Sequence, residues 1–258
     1  MTVSPRAIAV AAPIAVGVLV LLAWQAACRL WHIPPYLMPA PTDIGASLAA
    51  NGPALLHALR STLAVTMAAL AISVAGGVLS AFLLVQSRLI ETSLMPYVII
   101  MQVTPIVAIA PLIIILVKAT MPALVVCATL IAIFPIISNT LQGLRSVDPG
   151  LESFFRMHKA SRLQMLLRLR IPSALPMFMA GLRISSGLAL VGAVVAEFVA
   201  GTGGSSAGLA YEILQSGFQM DIPRMFAALA LITVAGLVLY GATAALQRLV
   251  LRRWQAQG

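Results

Sequence analysis

The sequence predicts an all-α membrane protein with six transmembrane helices, and its composition and hydropathy pattern carry that prediction. Hydrophobic residues make up 61% of the 258 residues and charged residues only 9%. A typical soluble domain has about 25% charged residues, and a fold of this size needs a polar surface that so few charges cannot supply. The composition therefore excludes a soluble enzyme, a disordered chain and a secreted disulfide scaffold.

Six apolar runs supply the spans, each of about 20–25 residues, enough to cross a hydrocarbon core of about 30 Å. Because the bilayer offers no water to backbone amides, each run should be helical. The first run is longer than the apolar core of a cleavable signal, which has about 7–15 residues, so we expect it to be retained. The predicted spans are residues 7–27, 63–85, 95–117, 122–141, 175–199 and 225–246.

Lysine and arginine set the predicted orientation, because cytoplasmic loops of membrane proteins are enriched in both. Of the 16 such residues, eleven lie at the two termini or in the loops 86–94 and 142–174, and four lie on the other side. Both termini are therefore predicted in the cytoplasm, with residues 31–62 and 200–224 outside. The last one, Arg183, lies inside the fifth span and is expected to snorkel to the cytoplasmic surface. The net charge of +9 reflects this arrangement, and no nucleic-acid partner is expected.

The two external segments each contain signals for a short helix. In the first, a cluster of four prolines precedes Thr42-Asp43, which we expect to cap a helix start. The second opens with the glycine- and serine-rich residues 201–206, typical of a helix end and turn. We divide the chain into residues 1–62, the first span and its external linker, and residues 63–258. The second unit is a five-helix core that contains the cytoplasmic loop 142–174.

Glu197 is the one carboxylate inside a predicted span, and intramembrane charges are costly enough to suggest a function. It lies near the outer end of its helix, and a structural hydrogen-bonding role and a role in a transport pathway are equally open. Prolines in the third span, among them Pro105 and Pro111, remove backbone hydrogen bonds and should kink it. Kinked helices suit a bundle that moves or lines a pathway, although proline is generally common in membrane helices.

The residue patterns typical of enzyme active sites are incomplete in this sequence. Residues 204–208 match the G-x-S-x-G pattern of a serine nucleophile, but that pattern needs a preceding strand and a histidine base. The last histidine, His158, lies upstream, and neither lysine has the context of a phosphate-binding loop. The two cysteines and three histidines have no metal-ligand spacing. We therefore predict no catalytic residue, no metal and no cofactor.

The cytoplasmic loop 142–174 carries the most information. Asp148-Pro149 is a helix-start signal, and Pro172 and Pro176 are expected to close the segment before the next span. One or two short amphipathic helices should lie between them. Such helices either rest on anionic lipid headgroups or dock a soluble partner.

Several motifs of this chain resemble those of the permease subunits of bacterial ATP-binding-cassette importers that have six helices per subunit. That family has a Glu-Ala-Ala, three residues, Gly pattern, followed by Leu-Pro or Ile-Pro and a second proline. The matching stretches here are 160–162, 171–176, 181–183, 104–112, 39–41 and 196–198. The chain departs from the pattern where Ser153, Phe154 and Phe155 replace Glu-Ala-Ala and Lys159 replaces Gly, with Glu152 one position early.

The resemblance implies a type I importer permease-like bundle in a bacterial inner membrane that passes a small solute. It implies cytoplasmic ATP-binding subunits that hydrolyse ATP, an external substrate-binding protein and a second permease copy in a homodimer. The ATPase-coupling residues would be Glu152, Phe154, Phe155, Arg156, Lys159, Ser161 and Arg162. The pathway candidates would be Thr104, Pro105, Pro111 and Glu197. The candidates for contact with the binding protein would be Glu212, Asp221 and Arg224, against the alternative that these are ordinary solvated loop charges.

The substrate stays open on sequence alone. Residues 155–156 and 222–228 look most like the branch that imports thiamine-pyrimidine precursors or riboflavin, within a wider group for nitrate, taurine and alkanesulfonates. A stand-alone secondary transporter or channel is the alternative, and Glu197 would be its sole candidate ion-coupling group. An intramembrane enzyme is a third and remote possibility.

Overall fold

The computed structural model of the chain describes residues 5–201 and 207–255, with side chains for residues 11–201 and 207–252. Within these ranges the secondary structure is helical, with no strand. A π-helical turn, Leu166–Arg170, joins α8 to α9. The α-helices are α1 (Pro5–Leu30), α2 (Pro41–Ala50), α3 (Gly52–Val85), α4 (Arg88–Val103), α5 (Ile106–Val117), α6 (Thr120–Arg145), α7 (Pro149–Met157), α8 (Arg162–Met165), α9 (Ile171–Ala200), α10 (Leu209–Phe218) and α11 (Ile222–Gln255).

Five described helical stretches are long and apolar enough to span a membrane, and the α4–α5 pair makes a sixth span if it is counted as one. The third predicted span is therefore wrong as a single helix, because α4 and α5 meet at an angle of 96°. Thr104 has an extended backbone, with φ −66° and ψ 122°. A residue before proline avoids the helical conformation, so Pro105 ends α4 where the sequence suggested only a kink.

Several spans extend beyond the predicted bounds. Helix α3 begins at Gly52, so position 62, the end of the first predicted unit, lies inside a helix. Pro172 and Pro176 do not close the segment before the fifth span, because helical structure runs from Arg162 to Ala200. Pro172 is the second residue of α9 and follows directly on the π-turn, so its missing N–H falls at the junction of the two helical stretches. The π-turn before it absorbs the change in hydrogen bonding.

Helices α6 and α9 form the centre of the bundle and approach closely at glycines. A Cβ on Gly143 would lie 2.8 Å from the Cα of Ala174, and one on Gly192 would lie 2.8 Å from the Cα of Ala128. A Cβ on Gly181 would lie 2.7 Å from the carbonyl oxygen of Pro135. Small residues are how membrane helices achieve such close packing. Helices α6 and α9 are therefore in close contact along their length, and α3 packs on both of them.

Two apolar clusters mark the two ends of the bundle. At the α10 end, Ile44 of α2 and Leu55 of α3 pack with Leu209 and with Ala227 and Ala228 of α11. At the α7 end, Leu84 of α3 packs with the last turns of α6 and the first turn of α9. The short helices α2 and α10 are thus held on the bundle by buried contacts.

Helix α2 confirms the short helix predicted after the proline cluster, but its cap differs. The helix begins at Pro41, and Asp43 lies in its first turn, where its carboxylate accepts from the backbone N–H of Ala40 at 3.0 Å. Thr42 instead accepts from Arg29 of α1 at 2.9 Å, and Arg29 also pairs with Asp43 at 3.1 Å. These contacts tie α1 to α2.

Candidate functional site

Helix α7 stands out as an amphipathic helix between the central pair α6 and α9. Its start at Asp148-Pro149 is confirmed: the Asp148 carboxylate accepts from the backbone N–H groups of Gly150 at 2.6 Å and Leu151 at 3.2 Å. A carboxylate in this position satisfies amides that the helix itself leaves free. The cap fixes where α7 starts and hence which side chains it exposes.

Glu152 faces the protein and joins α7 to the π-turn. Its carboxylate accepts from Arg156 at 2.8 Å and lies 3.5 Å from the guanidinium of Arg170. The hydrogen bond from Arg156 holds the pKa of Glu152 below its ordinary value, against the opposing effect of desolvation. The pair Glu152–Arg156 is one turn apart along α7, and Arg170 makes the link to the following helix.

The exposed side of α7 is an apolar stripe. Leu151 is 50% exposed, Phe154 52% and Met157 74%. Phe155 lies on the other side, half-buried, with its ring centroid 6.3 Å from that of Phe154. The Phe154 ring also contacts the His158 ring at 4.3 Å. The two phenylalanines therefore differ, and Phe154 is the more exposed of the two.

The turn after α7 keeps a left-handed backbone without a glycine. Lys159, which replaces the family's Gly, has φ +51°, a conformation that residues with a side chain rarely adopt. Ser161 then caps α8: its hydroxyl accepts from the Gln164 N–H at 3.2 Å, and the Gln164 side chain accepts from the Ser161 N–H at 2.9 Å. The exposed residue Arg162 follows directly.

A cavity of about 700 Å³ lies behind this segment, beside the end of α3. Four of its lining side chains are charged, namely Glu152, Arg156, Arg162 and Arg170. The structure therefore brings together most of the predicted coupling residues on one small unit, residues 148–170. Their role in binding an ATPase stays a prediction.

The break between α4 and α5 borders a second cavity, of about 370 Å³. Thr104 and Pro105 line it with Gln102 and otherwise apolar side chains of α4, α5, α6 and α9, none of them charged. Pro111 lies farther along α5 and is exposed. Of the four predicted pathway residues, Thr104 and Pro105 thus share a cavity, and Pro111 and Glu197 are not among its lining residues.

Glu197 is 3% exposed and lies in the last turn of α9. Its Oε2 accepts from the Thr62 hydroxyl of α3 at 3.1 Å and from the Ala210 N–H of α10 at 3.1 Å. The Thr62 hydroxyl oxygen in turn accepts from the Leu209 N–H at 2.9 Å. The sequence analysis did not identify Thr62 or α10 as hydrogen-bond partners of Glu197. A search for them could have started from the rule that a lone carboxylate inside a span needs hydrogen-bond donors.

Of the three predicted binding-protein contacts, Glu212 lies in the first turn of α10, whereas Asp221 and Arg224 lie beyond its far end. Glu212 is 9% exposed, and its Oε2 accepts from the Nε and Nη2 of Arg224 at 3.1 and 2.7 Å. Asp221 accepts from the Arg224 N–H at 3.2 Å, which caps the start of α11. The exposed side chains in this region are Phe218, 87%, and Met220, 65%. Whether the charged three contact a partner stays a prediction.

Two further expectations have a structural outcome. Arg183 does not simply reach for the surface: its guanidinium stacks on the Tyr240 ring at 4.6 Å and donates to the Tyr240 hydroxyl at 2.6 Å. Gly201 ends α9 with φ +55°, as a glycine cap should. The serine pattern at 204–208 falls largely outside the described residues. Among those that are described, no group of histidine, cysteine and carboxylate side chains is arranged to hold a metal ion.

A multi-pass bundle that carries an amphipathic helix between its two central spans is the architecture of a transporter's membrane subunit, and the comparisons agree. Residues 73–255 match the family described as "Binding-protein-dependent transport system inner membrane component". The chain belongs to this family and is an ABC importer permease subunit.

Individual relatives cover nearly the whole chain. A probable ABC transporter permease protein of Haemophilus influenzae is 35% identical over 87% of this chain and 90% of its own length. The formylaminopyrimidine transport permease protein ThiX of Halalkalibacterium halodurans is 30% identical over 90% and 92%. The riboflavin transport system permease protein RibX of Chloroflexus aurantiacus is 33% identical over 92% and 88%.

Solved structures show the same fold. An inward-facing MetNI methionine ABC transporter chain matches with a TM-score of 0.66 and 19% identity, over 76% of this chain and 95% of that chain. An amino acid ABC transporter chain matches with a TM-score of 0.65 and 20% identity, over 81% and 97%. The predicted type I importer permease-like fold is confirmed.

Proposed function

We propose that the chain works as a homodimer that binds cytoplasmic ATP-binding subunits through α7 and receives its solute from an external binding protein. The observation that carries the proposal is the exposed apolar stripe of Leu151, Phe154 and Met157, bordered by basic side chains. Exposed large apolar side chains in a ring of charge are typical of a protein contact. The distribution of lysine and arginine favours the orientation in which the termini and α7 face the cytoplasm.

The position of α7 supports a coupling role. Helix α6 ends at Arg145 and α9 begins at Ile171, so the segment between them is attached at both ends to the same closely packed pair. Glu152 and Arg170 hold α7 to the base of α9. A push on α7 by a bound ATPase would therefore reach the centre of the bundle directly.

For the substrate we propose a small, uncharged heteroaromatic solute. The relatives ThiX and RibX, named for formylaminopyrimidine and riboflavin transport, each cover about nine-tenths of this chain. The cavity at the α4–α5 break is lined by apolar side chains with Gln102 and Thr104, and by no charged group. An anion such as a sulfonate would lose its hydration there without a compensating charge. Uptake assays with a pyrimidine, riboflavin and taurine would separate these classes.

The docking proposal is tested with two exposed phenylalanines at opposite ends of the molecule. Burying the exposed half of the Phe154 ring, roughly 80 Å², corresponds to about 2 kcal/mol at 25 cal/mol per Å². Phe154→Ala should therefore weaken binding of the ATP-binding subunit about 30-fold. Phe218→Ala, which truncates an 87% exposed ring at the α10 end, is the matched control and should leave ATPase binding unchanged.

The measurement is co-purification and titration of a candidate ATP-binding subunit, with the permease in nanodiscs. Phe154→Ala together with Phe155→Ala should release the subunit while the permease stays inserted. Changing the anionic lipid content should not restore binding. If the double variant keeps its ATPase and transports normally, α7 is not the coupling element.

A further inference from the structure

The first turn of α10 is held by side chains from two other helices rather than by a cap of its own. The residue before the helix, Gly208, has no side chain, and the first amides of any helix have no intrahelical acceptor. The Leu209 N–H donates to Thr62 of α3 at 2.9 Å, and the Ala210 N–H donates to Glu197 of α9 at 3.1 Å. Thr62 also donates to Glu197 at 3.1 Å, so one buried network joins α3, α9 and α10.

Gly208 is required by the closeness of this contact. A Cβ at Gly208 would coincide with the carboxylate of Glu197. Its φ of −98° is open to any residue, so the glycine serves the approach and not the backbone conformation. The Oε1 of Glu197 is buried there with no hydrogen-bond partner among the described residues. A buried carboxylate held so closely fixes the distance between α9 and the start of α10.

The other end of α10 is a tight turn with exposed side chains. The Asp221 N–H donates to the Ser216 carbonyl at 2.9 Å and the Met220 N–H to the Gly217 carbonyl at 3.1 Å, the pattern of a Schellman turn. That turn favours glycine at the position of Met220, which has φ +58°. Met220 and Phe218 are both largely exposed, so this turn presents two large apolar side chains at the protein surface.

The clamped helix is connected to the opposite end of the molecule. Glu197 lies at the end of the helical stretch Arg162–Ala200, which runs without a break to the base of α7. In the same first turn, Glu212 of α10 pairs with Arg224 of α11 at 2.7 Å. The first turn of α10 is therefore tied to α3, α9 and α11, three helices that cross the bundle.

We propose that Glu197 is a positioning residue that clamps α10 onto α3 and α9, so that a protein docking on the turn Phe218–Asp221 shifts these helices. The proposal rests on the proposed function, and the docking protein is the external binding protein. This assigns Glu197 to transmission at the α10 end and not to contact with the solute.

The test uses the complex of this chain with its ATP-binding subunits in nanodiscs, with purified binding protein added. Gly208→Ala places a methyl group in the volume of the Glu197 carboxylate and should open the clamp. Gly45→Ala, in α2 at the same end, has nothing within 4 Å of its new Cβ and is the matched control. The first readout is the ratio of ATPase rates with and without binding protein. The second is the mobility of a spin label at Gln219.

Opening the clamp should lower the stimulation ratio about fivefold or more, the lower end of typical allosteric couplings, and should increase the mobility of the label. Glu197→Gln should change both in the same direction but less, because the amide keeps one acceptor and loses the charge. Gly45→Ala should behave like the unmodified chain. If Gly208→Ala fails to insert, Thr62→Val takes its place, since it removes the bridging hydroxyl at nearly constant volume.

Unchanged stimulation and unchanged label mobility in Gly208→Ala would overturn the proposal. A mobile label with full stimulation in Gly208→Ala would also overturn it. The contact with Glu197 would then hold α10 in the unmodified chain but would not be needed for stimulation of the ATPase. If the unmodified chain binds no ATP-binding subunit, the proposed function fails instead. In that case the label at Gln219 still decides whether Glu197 clamps α10.

Discussion

Gly192→Ala is expected to destabilise the α6–α9 pair, whereas Gly187→Ala, on the same helix, is not. The two glycines differ only in their surroundings. A Cβ on Gly192 would lie 2.8 Å from the Cα and 3.2 Å from the carbonyl oxygen of Ala128. A Cβ on Gly187 would have nothing within 4 Å. The atoms facing Gly192 are backbone atoms of α6, so the helices must separate to make room.

The magnitude follows from two opposing contributions. Replacing glycine by alanine inside a helix stabilises it by about 1 kcal/mol, and this gain is common to both variants. Inserting a methyl group against an unyielding neighbour costs about 1–3 kcal/mol, and this cost falls on Gly192 alone. The two variants should therefore differ by about 1–3 kcal/mol. In a chain of this size that corresponds to a difference in melting temperature of about 2–12 °C.

Thermal unfolding of the detergent-purified chain, followed by the loss of the monodisperse peak in size-exclusion chromatography, measures this difference. Gly241→Ala on α11, which also has nothing within 4 Å of its Cβ, is a second control. Equal melting temperatures for the Gly192 and Gly187 variants would show that the helices are not in contact there. The close packing of α9 on α6 at Gly192 would then be wrong.

Three further predictions concern the α7 end. Lys159→Gly should relieve the left-handed strain, about 1 kcal/mol, and raise the melting temperature by about 2–4 °C; no rise would show that the turn is unstrained. The hydrogen bond from Arg156 lowers the pKa of Glu152 from its ordinary 4.5. The stability that the ionised Glu152 carboxylate contributes to the folded chain is thus fully present above pH 4.5, and it is lost as the pH falls through the lowered pKa. A spin label at Ser153 should therefore become mobile on acidification, and Glu152→Gln should abolish that pH dependence. In whole cells, Ser206→Cys should react with an impermeant reagent and Ser153→Cys should not, and the reverse labelling would contradict the orientation.

The spans could be predicted from the sequence because the membrane imposes their length and hydropathy. Their ends could not. Residues 52–62 are too polar to be assigned to a span by hydropathy, yet they continue α3 because Leu55 and Ala58 pack under α2, α10 and α11. Pro105 breaks a helix, whereas Pro176 lies inside α9. Both prolines lie in apolar runs, and the sequence does not distinguish the two outcomes.

Residue types located the candidate sites, but side-chain directions could not be predicted. Phe154 and Phe155 are adjacent and chemically identical, and the phase of α7, fixed by the Asp148 cap, decides which of them is exposed. Glu197 was identifiable as an unusual charge in a span. Its partners Thr62 and Ala210 are 135 and 13 residues away, and nothing in the sequence pairs them with it.

The arrangement of helices suggests how a single chain can separate a rigid part from a movable one. The α6–α9 pair is locked by backbone contacts at glycines and carries α7 at one end and the Glu197 clamp at the other. The α4–α5 pair is broken at Thr104–Pro105, and an ion pair between Glu91 and Arg145 ties its α7 end to α6. A displacement of α4 relative to α6 would therefore strain this ion pair, whereas α5 is packed on α6 and α9. The bend between α4 and α5 is where such a displacement would be taken up, beside the uncharged cavity that the break itself borders.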